Sequence, residues 1–104
     1  MRTAMGVGIA LALLGISNVA SAGPPLKTYH YPKHQGMPVD YCLYWSKSCG
    51  KPAADRFCEN RNFHQASKFT KRYSPVTRLQ GSGQTCSGGD CQSFASITCI
   101  HGGL

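Results

Sequence analysis

Six cysteines, spaced C-x6-C-x8-C-x27-C-x4-C-x7-C at Cys42, Cys49, Cys58, Cys86, Cys91 and Cys99, constrain this chain more than any other feature. The apolar supply around them is thin. After Ala22, Leu, Ile, Val and Phe account for 12 of 82 residues. A chain with less than about 20% of these types and a high net charge would ordinarily stay disordered. Three disulfides, at about 2–4 kcal/mol each, would supply most of the net stability of so small a domain. The even count leaves no spare thiol, which disfavours a cysteine nucleophile. Six cysteines allow fifteen pairings. The favoured long-range pair is Cys58 on an apolar helix face with Cys99 on an apolar strand face. Cys42–Cys49 and Cys86–Cys91 then remain as local bridges.

The first 22 residues read as a secretory signal peptide. Arg2 supplies the positive start, GVGIALALLGI the apolar run, and Ala20-Ser21-Ala22 the small residues before cleavage. The run is too short for the roughly 20 residues a bilayer-spanning helix needs, and no later stretch comes closer. The expected location is therefore secreted or periplasmic, where thiols oxidise. Beyond Ala22 the chain carries ten basic residues against four acidic ones, a formal charge of +6.

Taken in order, 23–39 reads as a flexible Pro-rich arm, with Thr28–Tyr31 able to add as an edge strand, and 40–104 as the disulfide-stapled domain. Pro52–Arg61 is the one convincing helix. Pro52 suits the first turn. Asp55 and Arg61 suit the two ends of the helix dipole. Ala54, Phe57, Cys58 and Arg61 recur at helical spacing, and Asn62 is a candidate left-handed stop. Ala66–Thr70, Val76–Gln80 and Phe94–Ile100 read as strands, with Ala95, Ile97 and Cys99 sharing one face. Gly81–Asp90 reads as a loop, and the segment from His101 onward as a frayed tail. The expected fold class is α+β, one helix packed on an antiparallel sheet of three or four strands.

The run C-G-K-P-A-A-D-R-F-C-E-N-R-N-F-H-Q-A, with T-R-L-Q-G-S-G-Q-T-C and F-A-S-I-T-C after it, resembles small secreted cysteine-rich proteins known mainly as uncharacterised open reading frames. The resemblance spans most of Asp40–Cys99. It implies a shared fold and an extracytoplasmic location, and no activity. Ala53-Ala54 to Cys58, then Phe63 and Ala66, is similar to the helix of scavenger-receptor cysteine-rich domains, and Cys86, Cys91 and Cys99 loosely match their closing cysteines. Those domains bind proteins and polyanions. The tryptophan-glycine-threonine-valine-cysteine opening strand of that family is missing here, so the likeness is a fold-level analogy.

Lys68, Lys71, Arg72 and Arg78 fall within eleven residues, interleaved with Phe69 and Tyr73. Basic and aromatic side chains together suit a polyanion. With Trp45, which could stack on a ligand or serve as the largest packing unit of the core, Lys68, Lys71, Arg72, Tyr73 and Arg78 form the expected binding set. The expected partner is an envelope glycan, lipopolysaccharide or another polyanion, since export makes nucleic acid a poor one. A secreted inhibitor or effector using Gly81–Asp90 against a protein partner is the alternative. A small basic ribonuclease, with His64 and His101 as base and acid, is a further reading, without a recognisable constellation. No cofactor is expected. A metal is not expected either: no CxxC-type pair occurs, and Pro32 separates His30 from His34.

Overall fold

The computed structural model describes residues 26–101. The expected signal segment lies outside the described residues. The centre of the fold is β9 (Gln92–Ile100), whose β-branched and aromatic residues suit a strand buried between two others. It pairs antiparallel with β1 (Leu26–His30) on one side and β6 (Gln65–Tyr73) on the other. Leu26–His30, read as part of the arm, is therefore the edge strand of the main sheet. It is longer and earlier than Thr28–Tyr31. Val39, at the end of the same segment, is fully buried. The arm reading is corrected accordingly, and the folded unit includes residues well before Asp40. Backbone pairing with β9 outweighs the local Pro and Gly content, because Pro32 falls just beyond the strand.

Three two-stranded ribbons complete the sheet content of the described residues. They are β2–β3 (Lys33–His34, Met37–Pro38), β4–β5 (Cys42–Tyr44, Lys47–Cys49) and β7–β8 (Val76–Arg78, Thr85–Ser87). The stretch Gly81–Asp90 is thus not all loop. Its Thr85–Ser87 pairs back on Val76–Arg78, which stands outside the main sheet. The coarse α+β description holds: among the described residues there is one helix, with mostly antiparallel strands.

The helix α1 spans Lys51–Glu59 and starts after Gly50, whose φ of 75° is open to glycine at little cost. Ala53, Ala54, Phe57 and Cys58 are its buried face. Nine residues are too few to hold a helix in water, so docking sustains it. Asp55 accepts from the Ala66 backbone N–H at 2.8 Å and from Lys51 Nζ at 2.9 Å, tying α1 to the start of β6. Its contribution is this tether rather than an interaction with the helix N-terminus. Asn62 has φ 70° and ends the helical turn as expected, and the Phe63 N–H donates to the Cys58 carbonyl at 3.0 Å. The bridges are Cys42–Cys49, Cys58–Cys99 and Cys86–Cys91.

The core gathers Phe57, Phe94, Ile97, Val39, Leu43 and the Cys58–Cys99 bridge, with Tyr29, Tyr41, Phe63 and Phe69 packed against it. Leu79, Cys86 and Cys91 form a smaller cluster under the β7–β8 ribbon. Trp45, 49% exposed, is not a core residue, and Phe57 and Phe94 are the largest fully buried side chains. The alternation expected along β9 breaks at Ala95. The pairing with β6 shifts register between Thr70 and Lys71, so Phe94 joins Ile97 and Cys99 on the helix side. The Tyr31 N–H donates to the Ala95 carbonyl at 2.9 Å at this irregularity. Asp40 links the outer pieces: it accepts from the Cys42 N–H at 2.8 Å and from the buried Thr77 hydroxyl.

Candidate functional site

Strand alternation divides the expected binding residues among three places. On β6, Lys68 pairs in register with Thr98, Thr70 with Ser96 and Arg72 with Ser93. Ile97 and Cys99 face the helix, so Thr98 and Ser96 lie on the opposite side of the sheet. Two hydroxyl pairs mark that side: Thr28 with Thr98 and Thr70 with Ser96, each at 2.8 Å. His30, opposite Ser96, is on it too. Thr28, His30, Lys68 and Thr70 are exposed there, and among the described residues no helix or ribbon covers them. The resulting surface is rich in hydroxyl groups and cationic.

Arg72 extends this face at one end. Its guanidinium lies 4.9 Å from the centroid of the exposed Tyr31 ring. Arg72 Nε and Ser93 Oγ, opposed in register, are both buried without a hydrogen-bond partner among the described residues. Their hydrogen-bonding capacity is therefore unmet within the fold.

Lys71 and Tyr73 point the other way. Lys71 pairs in register with Phe94 and sits 4.8 Å from the Tyr41 ring, which packs against Phe94 and Phe69. Arg78 belongs to a third place. It donates to the Gly83 carbonyl at 3.1 Å and to Met37 Sδ at 3.2 Å. Together with Arg61 it faces His34, whose pKa falls below 6.5 through burial first, then the charges of Arg78 and Arg61. Arg61 in turn lies 3.7 Å from the Phe57 ring and donates to the Lys33 carbonyl.

Trp45 stands apart from all of these. It sits in the two-residue loop between β4 and β5, where Ser46 takes a positive φ of 56°. There it lines a cavity of about 330 Å³ with Tyr41, Tyr44, Asp40, Asp90 and Gln92. Among the described residues no lysine or arginine lines this cavity.

No family model, curated protein or solved structure matches the chain. The site is therefore read from its own geometry. Of the expected set, Lys68 and Arg72 share a face, Lys71 and Tyr73 lie on the reverse, Arg78 joins the β2–β3 ribbon, and Trp45 opens a separate cavity. From sequence, His30 is weighed only as a metal ligand, and the hydroxyl groups of Thr28, Thr70, Ser96 and Thr98 are not singled out as part of a site. Period-two alternation of small polar residues in β6 and β9 was the signal available for them. The histidines of the ribonuclease reading lie near the end of β9: the His64 N–H donates to the Ile100 carbonyl, and the His101 ring packs 4.5 Å from that of Phe63. The His101 residue is exposed, and the rest of the expected frayed tail, 102–104, lies outside the described residues. Among the described residues no three His, Cys, Asp or Glu side chains are grouped to hold a metal ion.

Proposed function

We propose that this is a secreted or periplasmic binding module for an anionic glycan, with the uncovered face of the main sheet as its contact surface. The observation that carries this reading is the charge distribution on that face: Lys68 and Arg72 among hydroxyl groups and the His30 imidazole, and no carboxylate. The four carboxylates lie elsewhere. Asp55 pairs with Lys51 and Glu59 with Arg56 on the helix, while Asp40 and Asp90 line the cavity. The other eight basic side chains have no carboxylate partner among the described residues. Cations left unpaired in this way give a surface potential that attracts a polyanion. Hydroxyl groups alongside them suit sulfate, phosphate or carboxylate oxygens on a sugar chain. Three disulfides support an oxidising compartment, where envelope polymers are the anions at hand.

The test is binding of the oxidised protein to anionic polysaccharides and lipopolysaccharide across a salt series. The expected result is affinity that falls steeply with salt, and that drops further when Lys68 and Arg72 are both changed to Glu. Binding that ignores salt, or survives this double reversal, would overturn the reading. It would turn attention to a protein partner instead.

A further inference from the structure

We infer that the cavity beside Trp45 is a binding site for an organic ammonium group. This inference is independent of the glycan reading and rests on different residues. The cavity measures about 330 Å³, at the lower end of the range of about 300–1,000 Å³ typical of small-ligand sites. It collects two of the chain's four carboxylates, Asp40 and Asp90, in a protein whose net charge is +7. It is also lined by Tyr41, Tyr44 and Trp45, and, among the described residues, by no cation.

An aromatic ring presents negative potential on its face, and tryptophan is the strongest acceptor of a cation. This molecule uses that property repeatedly. Lys27 lies over Tyr29, Arg61 over Phe57, Lys71 over Tyr41 and Arg72 over Tyr31. Trp45 and Tyr44 carry no such cation among the described residues, although they are 49% and 43% exposed. The strongest ring of the set is thus left open, in a chain rich in unpaired cations.

The carboxylates divide the work. Asp40 is fixed by the Cys42 N–H and the Thr77 hydroxyl, so it supplies a charge in a set position. Asp90 is exposed and has neither a hydrogen bond nor an ion pair from a side chain among the described residues. It is free to pair with the ligand. The walls are held in advance. Cys42 and Cys86, each in a local bridge, line the cavity. The Tyr44 ring rests against Gly81, where an added Cβ would come within 2.7 Å of it. An anionic ligand would meet two like charges here, so the two sites select opposite charges.

The ammonium could come from a quaternary headgroup or from an amino sugar, and titration separates the two. Trp45 is the only tryptophan, so intrinsic fluorescence of the oxidised protein reports on this cavity directly. The ligands are choline and glucosamine, with the neutral isostere 3,3-dimethylbutanol and N-acetylglucosamine as their controls. The expected result is a saturable change with one or both ammonium ligands, and binding of the matching neutral control at least about tenfold weaker. Asp90→Asn should weaken the ammonium ligand by about three- to tenfold while leaving salt-dependent glycan binding unchanged. Trp45→Leu, followed by calorimetry, should abolish the signal. Equal binding of ammonium and neutral partner, an unaltered affinity in Asp90→Asn, or no response to either ammonium ligand would overturn the assignment.

Discussion

Lys71 and Arg72 are neighbours in the chain and lie on opposite faces of the sheet. Lys71 rests over the Tyr41 ring on the helix side, and Arg72 over Tyr31 on the uncovered side. The two cations therefore share net charge but not surface, and they can be tested separately. Arg72→Gln and Lys71→Gln remove the same charge, so any long-range field effect is common to both. The expected outcome is weaker glycan binding and a shallower salt slope in Arg72→Gln. Lys71→Gln should bind nearly as the parent does and lose about 0.5–1 kcal/mol of stability with its cation–π contact. Salt-series binding and thermal melts on both variants check this. Equal losses of affinity would place the contact surface elsewhere.

The tethering framework was legible where periodicity and cysteine position coincide. Cys58 lies on the helical stripe with Ala54 and Phe57, and Cys99 alternates with Ile97, so the sequence alone puts each on a buried face. Alternation misled at Ala95 because an irregular register reverses the phase of a strand, and nothing in Phe-Ala-Ser marks that position. The strand at Thr85–Ser87 was hidden by the glycines and serines around it: three residues carry too little pattern to stand out. Leu26–His30 is flanked by Pro24, Pro25 and Pro32, so only part of it, Thr28–Tyr31, reads as an edge strand, and long-range pairing with β9 supplies what local propensity lacks. The position of Trp45 at a hairpin tip depends on the pairing of Cys42 with Cys49 across β4 and β5. Residue type alone favours burial for so large a ring.

Gly81 lies where backbone and ring close in. A Cβ there would come within 2.7 Å of both the Leu43 carbonyl oxygen and Tyr44 Cζ, and the Gly81 N–H already donates to that carbonyl at 3.0 Å. The carbonyl belongs to a paired strand and cannot swing aside as a flexible side chain would. Gly81→Ala should cost about 1–3 kcal/mol of stability, as overpacking does, and displace Tyr44 from the cavity wall. Thermal unfolding reads the first effect and ammonium titration the second. A variant as stable as the parent would show that the β4–β5 ribbon is loosely held.

His34 sets a direction for the pH dependence. Its pKa lies below 6.5 because of burial first, then the positive charges of Arg78 and Arg61. Between that lowered value and 6.5 the unfolded chain binds a proton that the folded protein refuses. The contribution of His34 to stability is thus complete above about pH 6.5 and is lost as pH falls through the folded-state value. His34→Gln should flatten this part of the stability profile. Arg78→Met should raise the His34 pKa in an NMR titration of the imidazole. An unchanged pKa in Arg78→Met would remove Arg78 as a cause.

The three bridges should differ in what they contribute. Cys58–Cys99 spans 41 residues of sequence, against 7 for Cys42–Cys49 and 5 for Cys86–Cys91. Closing the longer loop removes more freedom from the unfolded chain: about 4 kcal/mol, against about 2–2.5 kcal/mol for either short one. Burial widens the gap, since Cys58 and Cys99 are both fully buried between α1 and β9, and serines there would be polar groups in an apolar core. The helix depends on this tether because nine residues cannot hold themselves. Replacing both Cys58 and Cys99 with Ser should therefore abolish cooperative unfolding and lower the far-UV helical signal. Replacing Cys86 and Cys91 should leave a folded protein with a lower Tm. Thermal melts followed by circular dichroism on the two double variants decide it. A smaller loss for the Cys58–Cys99 pair would mean that packing of Phe57 and Ala54, rather than the covalent link, docks the helix.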